Sequence, residues 1–141
     1  MSEDIHPKMY RYKRIVDAKL YIDENFHEKI DLGIMSAQAN FSKFHFARLF
    51  KKSFGKTPHQ YLIDVRLAAA KKSLKQYKLV QKVCFDVGFE SVPSFISLFK
   101  KKEKMTPNQY LKMLRQNEID KANTPFSFIP GCFSQNFQKH N

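Results

Sequence analysis

The sequence predicts an all-α chain of two helix-turn-helix subdomains joined by a long linker helix. Three observations carry this: a repeat offset by 49 residues, apolar residues at helical spacing, and glycine and proline confined to boundaries. Placing Ser42–Arg66 over Ser91–Arg115 makes 12 of 25 positions identical. Among them are Phe46/Phe95, Leu49/Leu98, Phe50/Phe99, Lys51/Lys100, Lys52/Lys101, Thr57/Thr106, Pro58/Pro107 and Tyr61/Tyr110. At an offset of 48 the preceding segments also match in kind: Leu32/Val80, Met35/Val83, Ser36/Cys84, Asn40/Gly88 and Phe41/Phe89. Glu90 is then the one extra residue of the second copy.

Residues 1–14 are polar and read as a flexible N-terminus. The first helix-turn-helix subdomain spans 15–56. It opens on a helix in which Ile15, Ala18, Ile22 and Phe26 share a face. That helix ends near Asn25 to His27. The short segment Leu32–Ala39 follows, then a turn at Asn40, a residue that tolerates a left-handed backbone. Ser42 can cap the next helix.

The linker helix spans 57–76. Thr57-Pro58-His59-Gln60 has the form of a capping box with proline at the first helical position, and Thr106-Pro107-Asn108-Gln109 repeats it. The linker's helix proper, Pro58 to about Gln76, is about 19 residues, which at ~1.5 Å each span roughly 28 Å. Successive major grooves on one duplex face lie about 34 Å apart. A spacer of this size could seat two reading helices on one face of DNA. The second subdomain spans 77–117, with Gly88 at its turn and Ser91 as its cap. Residues 118–141 form a Phe-rich C-terminal tail whose Phe126, Phe128, Ile129, Phe133 and Phe137 read as extra packing against the second subdomain.

Helical spacing sorts the helix after Ser42 into two faces. Phe46, Leu49, Phe50 and Phe54 form a core face, and Phe44, Ala47, Arg48 and Lys51 lie opposite. An outward Phe beside an Ala, an Arg and a Lys suits base reading. Arg48 can pair two-pronged with guanine, and Phe44 and Ala47 can pack on thymine methyl groups. Ser42, Lys43, Lys51, Lys52 and Lys56 are the phosphate candidates there, and no acid occurs from Lys43 to Lys56. In the second copy the outward face is Pro93, Ile96, Ser97 and Lys100. It has few base-edge donors, so Lys100, Lys101 and Lys102 point to phosphate contacts and weak base reading.

Charge agrees with this reading. Twenty-five Lys and Arg against 13 Asp and Glu give a net charge of +12, which suggests a polyanionic partner, either nucleic acid or an anionic membrane surface. A merely soluble basic protein is the alternative. No apolar run approaches the ~18 residues of a membrane span. Two cysteines, Cys84 and Cys132, and no secretory signal fit a reducing cytoplasm better than a disulfide scaffold. Neither a metal-ligand spacing, a nucleophile–base set nor a Gly-rich phosphate loop is present, so no cofactor, metal or enzymatic activity is expected.

The pattern Leu32…Met35-Ser36…Asn40-Phe41-Ser42…Phe46-Ala47-Arg48-Leu49-Phe50-Lys51-Lys52…Gly55…Thr57-Pro58…Tyr61-Leu62…Arg66-Leu67 resembles the DNA-binding domain of AraC/XylS-type bacterial transcriptional regulators. So does Val83…Val87-Gly88-Phe89…Phe95…Phe99-Lys100-Lys101…Thr106-Pro107…Tyr110. The resemblance covers Ile15 to Arg115. It implies a bilobed domain of about seven helices that binds double-stranded promoter DNA and activates transcription, often by touching RNA polymerase. It implies base contacts from Phe44, His45, Ala47 and Arg48, then from Val92, Pro93, Ser94, Ile96 and Ser97. The two readers would then take successive grooves, and a monomer would cover an asymmetric site. This sequence departs from the family where Ser97 replaces a common arginine and Lys104 replaces a helix-ending glycine. About 30 residues precede the first unit, too few for an effector-binding domain, so the chain reads as a stand-alone regulator or an isolated domain. A non-specific architectural DNA-binding protein, acting through charge alone, is the competing function.

Overall fold

Seven helices, in the order the repeat implies, make up the secondary structure of the described chain. A computed structural model describes residues 7–77 and 79–123. The helices are α1 (Pro7–Asn25), α2 (Leu32–Gln38), α3 (Lys43–Phe54), α4 (Pro58–Tyr77), α5 (Val80–Asp86), α6 (Val92–Glu103) and α7 (Pro107–Asn123). Among the described residues there is no strand, and no helix is long and apolar enough to cross a membrane.

Five helices, α2, α3, α4, α6 and α7, begin where a side chain satisfies a free N–H group, whereas α5 starts at Leu79 without a side-chain cap. Asp31 accepts from Ile34 N at 2.8 Å, Ser42 from His45 N at 3.3 Å and Ser91 from Ser94 N at 3.2 Å. Both capping boxes are reciprocal. Thr57 N donates to Gln60 Oε1 at 3.0 Å while Gln60 N donates to Thr57 Oγ1 at 3.2 Å. Thr106 and Gln109 repeat the exchange at 2.8 and 3.1 Å.

Among the described residues four have positive φ: Asn40 (57°), Gly55 (76°), Gly88 (107°) and Lys104 (67°). Asn40 and Gly88 make the two sharp turns, with matching bonds from Phe41 N to Ser36 O (3.2 Å) and Phe89 N to Cys84 O (3.1 Å). Gly55 and Lys104 end α3 and α6 through bonds to Lys51 O (2.7 Å) and Lys100 O (2.8 Å).

The chain divides into two compact units, Met1–Ile96 and Ser97–Asn141. In the first, α1 to α4 enclose a core of Ile15, Ala18, Ile22, Met35, Ala39, Phe46, Phe50 and Leu62. Leu49 and Phe54 pack against it from the same face of α3, as their spacing predicts. Burying a side chain such as Phe46 contributes about 1.5–3 kcal/mol. Further along this unit α5 packs on α4, and Val83, Cys84, Val87, Phe89 and Phe95 are buried. In the second unit Phe99, Pro107, Tyr110 and Leu111 are buried, with the Phe99 and Tyr110 rings 5.8 Å apart.

Two boundaries differ from the sequence reading. Residues 7–14, expected to be flexible, are the start of α1. Apolar periodicity does not reach them, but three other effects order this stretch. Pro7 sits in the first turn, where its missing N–H breaks no bond; Tyr12 lies 6.4 Å from the Phe54 ring; and Arg14 bonds Ala39 O at 2.7 Å. At the other end α7 runs on to Asn123 rather than stopping near Asn117. The tail aromatics Phe126 to Phe137 lie outside the described residues.

Candidate nucleic-acid interface

The outward face of α3 is built by the burial of its inward face. Phe46 and Phe50 are fully buried, so residues half a turn away must face out. Phe44 is 88 % exposed, an unusual state for so large an apolar side chain. Arg48, Lys51 and Lys52 are exposed and Ala47 is half-buried between them. His45 is also half-buried, its ring edge-to-face with Phe41 at 4.9 Å. Phe44, Ala47, Arg48 and Lys51 therefore form one basic face with an apolar patch at its N-terminal end.

Other candidates have local partners. Ser42 spends its acceptor on the α3 cap. The Lys43 stem lies over Gly33, where an added Cβ would come within 3.2 Å of Lys43 Cε. Lys56 forms an ion pair and hydrogen bond with Asp64, which restrains a group expected to meet phosphate. On α6, Pro93, Ser94 and Ser97 are exposed, Val92 and Ile96 half-buried. Lys100, Lys101 and Lys102 are exposed in its last turn, where cations also favour the helix dipole. Ser97, Lys100, Lys101 and Lys104 line a shallow depression on the second unit.

Two arginines whose roles the sequence reading missed lie against the turns that precede these helices. Arg14 of α1 donates from Nε to Ala39 O at 2.7 Å and from its guanidinium to Asn40 O, and it stacks 3.9 Å over the Phe41 ring. Arg66 of α4 donates to Phe26 O at 2.7 Å and Glu28 O at 2.9 Å, and its guanidinium carbon lies 5.8 Å over the Phe89 ring. Burial lowers the Arg66 pKa from its usual value, and the Glu90 charge opposes that shift. A signal existed. Arg14-Ile15…Ala18…Ile22 matches Arg66-Leu67…Ala70…Leu74 at an offset of 52, and all six apolar members are buried. The repeat is thus α1–α2–α3 followed by α4–α5–α6, with a turn-facing arginine in each leading helix.

A second polar cluster braces α1 against α4. The Tyr61 hydroxyl donates to the Asp23 carboxylate, and Lys19 Nζ lies 3.4 Å from that carboxylate and 5.1 Å over the Tyr61 ring. Burial, then the bond to Asp23, pushes the Tyr61 hydroxyl pKa above its usual value. Among the described residues no group of three or more His, Cys, Asp or Glu could hold a metal ion.

A duplicated helix-turn-helix scaffold with a basic outer face defines a DNA-binding protein. A family model described as a helix-turn-helix domain matches residues 35–113. The chain is 39 % identical over 104 residues to the bifunctional transcriptional activator/DNA repair enzyme AdaA of Bacillus subtilis, covering 73 % of this chain and 49 % of AdaA. Its fold superposes on the crystal structure of the DNA-binding domain of AdpA in complex with a target DNA, with TM-score 0.70 and 26 % identity over 73 % of this chain and 94 % of that one. It also superposes on an AraC-type transcriptional regulator from Chromobacterium violaceum, with TM-score 0.65 and 24 % identity over 72 % of this chain and 91 % of that one. The chain belongs to the AraC-type helix-turn-helix family of transcriptional regulators. It spans about half the length of the first curated relatives it matches, 49 % and 57 % of two of them.

Proposed function

We propose that this chain reads promoter DNA with two unequal helices. On α3, Phe44, His45, Ala47 and Arg48 contact base edges, while Ser42, Lys43, Lys51 and Lys52 hold phosphates. Lys56 joins the phosphate set when it leaves Asp64. On α6, Val92, Pro93, Ser94, Ile96 and Ser97 touch bases weakly, and Lys100, Lys101 and Lys102 anchor the strand. The two helices enter successive major grooves as one monomer, in the cytoplasm at the nucleoid, and RNA polymerase is the partner through which the chain activates. It acts as a binding protein rather than an enzyme.

The observation that supports this best is Phe44. An aromatic side chain left 88 % exposed beside Arg48, opposite a fully buried face, fits a surface meant to be covered. Arg48→Ala tests the reading. It is expected to cost ~1–3 kcal/mol on selected duplexes and to relax preference at one base pair. Equal weakening on every sequence would make Arg48 a phosphate contact instead.

A further inference from the structure

We propose that Arg66 is a positioning residue that fixes the spacing between the two reading helices, and so the separation of half-sites the protein accepts. This rests on the two-reader function above. Arg66 stands in α4 within the first unit and touches the α1–α2 loop and the turn at Gly88 at once. It bonds the carbonyls of Phe26 and Glu28, in the loop that leads into α2, at 2.7 and 2.9 Å. The same guanidinium carbon lies 5.8 Å over the ring of Phe89, three residues before α6 begins.

Gly88 shows how closely this seam is fitted. A Cβ there would lie 2.7 Å from Arg66 Nε and 2.7 Å from Phe26 O. The absent side chain is what lets loop, arginine and second turn meet. Lys29 and Glu90 add an ion pair of 3.6 Å across the same seam, but both are largely exposed and contribute little. Glu90 is also the residue inserted in the second repeat. Arg14 clasps only the turn before α3, whereas Arg66 ties the loop that leads into α2, the helix packed on α3, to the turn that leads into α6.

A rigid seam gives a geometric selectivity. One extra base pair between half-sites moves the second by about 3.4 Å and turns it by roughly 35°. A protein whose readers are held in place must then give up base contacts of one helix. A protein with a loosened seam can follow the shift.

The test uses the full chain and two-half-site duplexes recovered by selection from a random pool, with one base pair added or removed between the halves. Wild type is expected to lose about ten-fold or more at either altered spacing, the value of one or two base contacts. Arg66→Ala, and Arg66→Lys with one fewer planar donor set, should bind the selected spacing more weakly yet lose about three-fold or less on altering it. Circular dichroism identifies the variants that keep the fold, and Arg66→Lys serves where Arg66→Ala melts below the assay temperature. Lys29→Ala should leave the spacing penalty unchanged. If a folded variant keeps the full wild-type penalty, Arg66 does not set the spacing. If wild type itself is indifferent to spacing, the two-reader function fails instead, and the two failures are distinct.

Discussion

Lys104→Gly separates stability from binding, with opposite signs for the two. Lys104 holds φ 67° where its repeat counterpart, Gly55, holds 76°. A left-handed backbone costs an L-residue about 1–2 kcal/mol that glycine does not lose. Glycine gives back about 0.4–1 kcal/mol through the extra freedom of the unfolded chain. The side-chain bond from Lys104 Nζ to Lys101 O is 3.3 Å and exposed, so its loss is small. The net is a stabilisation of about 0.5–1 kcal/mol. At roughly 3–4 °C per kcal/mol for a chain of this size, thermal unfolding followed by circular dichroism should show Tm rising by about 2–4 °C. The same change removes a cation from the lysine cluster on α6, so DNA affinity should fall, with a salt slope shallower by about 0.9 if Lys104 meets a phosphate. An unchanged or lowered Tm would refute the strain argument. The reverse experiment is Gly55→Ala. Nothing lies within 4 Å of an added Cβ there, so backbone strain, less the same unfolded-chain offset, should lower stability by about 0.5–1 kcal/mol.

Other consequences concern single side chains. Phe44→Ala should abolish the response to replacing a thymine by uracil at one operator position. Wild type should lose about four-fold there, the value of one buried methyl group at ~0.8 kcal/mol, as read by competition binding; a wild-type protein blind to every such replacement would remove Phe44 as a methyl reader. Tyr61→Phe should flatten the alkaline limb of stability. The Tyr61 pKa is raised above 10.0 in the folded chain, so its contribution is full below the unfolded pKa and is lost as pH rises through the folded one. Lys19, raised chiefly by its hydrogen bond to Tyr61, acts in the same direction. Urea titrations from pH 8 to 11 read the difference, and parallel curves for the two proteins would exclude this linkage. In a Cys132→Ser background the Cys84 thiol should resist alkylation at neutral pH until the chain unfolds, because burial raises its pKa and covers it.

Much of the scaffold is legible in the sequence because it is written twice. Thr57-Pro58 and Thr106-Pro107 predict the capping boxes, and the inward Phe46, Phe50, Phe95 and Phe99 predict the buried faces. What stays hidden is held by contacts without periodicity. The first turns of α1 are ordered through Arg14 and Tyr12, whose partners lie far along the chain. The correspondence of Arg14 with Arg66 escapes notice because loop lengths shift its offset to 52, away from the 49 that pairs Arg66 with Arg115. Lys56 reads as a free cation until the fold brings Asp64 beside it, one helical stretch downstream. For the candidate interface, the exposure of Phe44 and Arg48 follows from the core periodicity alone. Which bases such a face would meet under the proposed function depends on a partner surface that no internal pattern encodes.

The central claim is that this surface reads sequence and does not act by charge alone. The direct measurement is a salt titration of binding to selected and random duplexes side by side. Parallel salt slopes are expected, with a specificity ratio of ~10³ or more that persists as salt rises. Equal affinity for both duplexes at every salt concentration would contradict it, and would leave a basic scaffold that binds DNA without reading it.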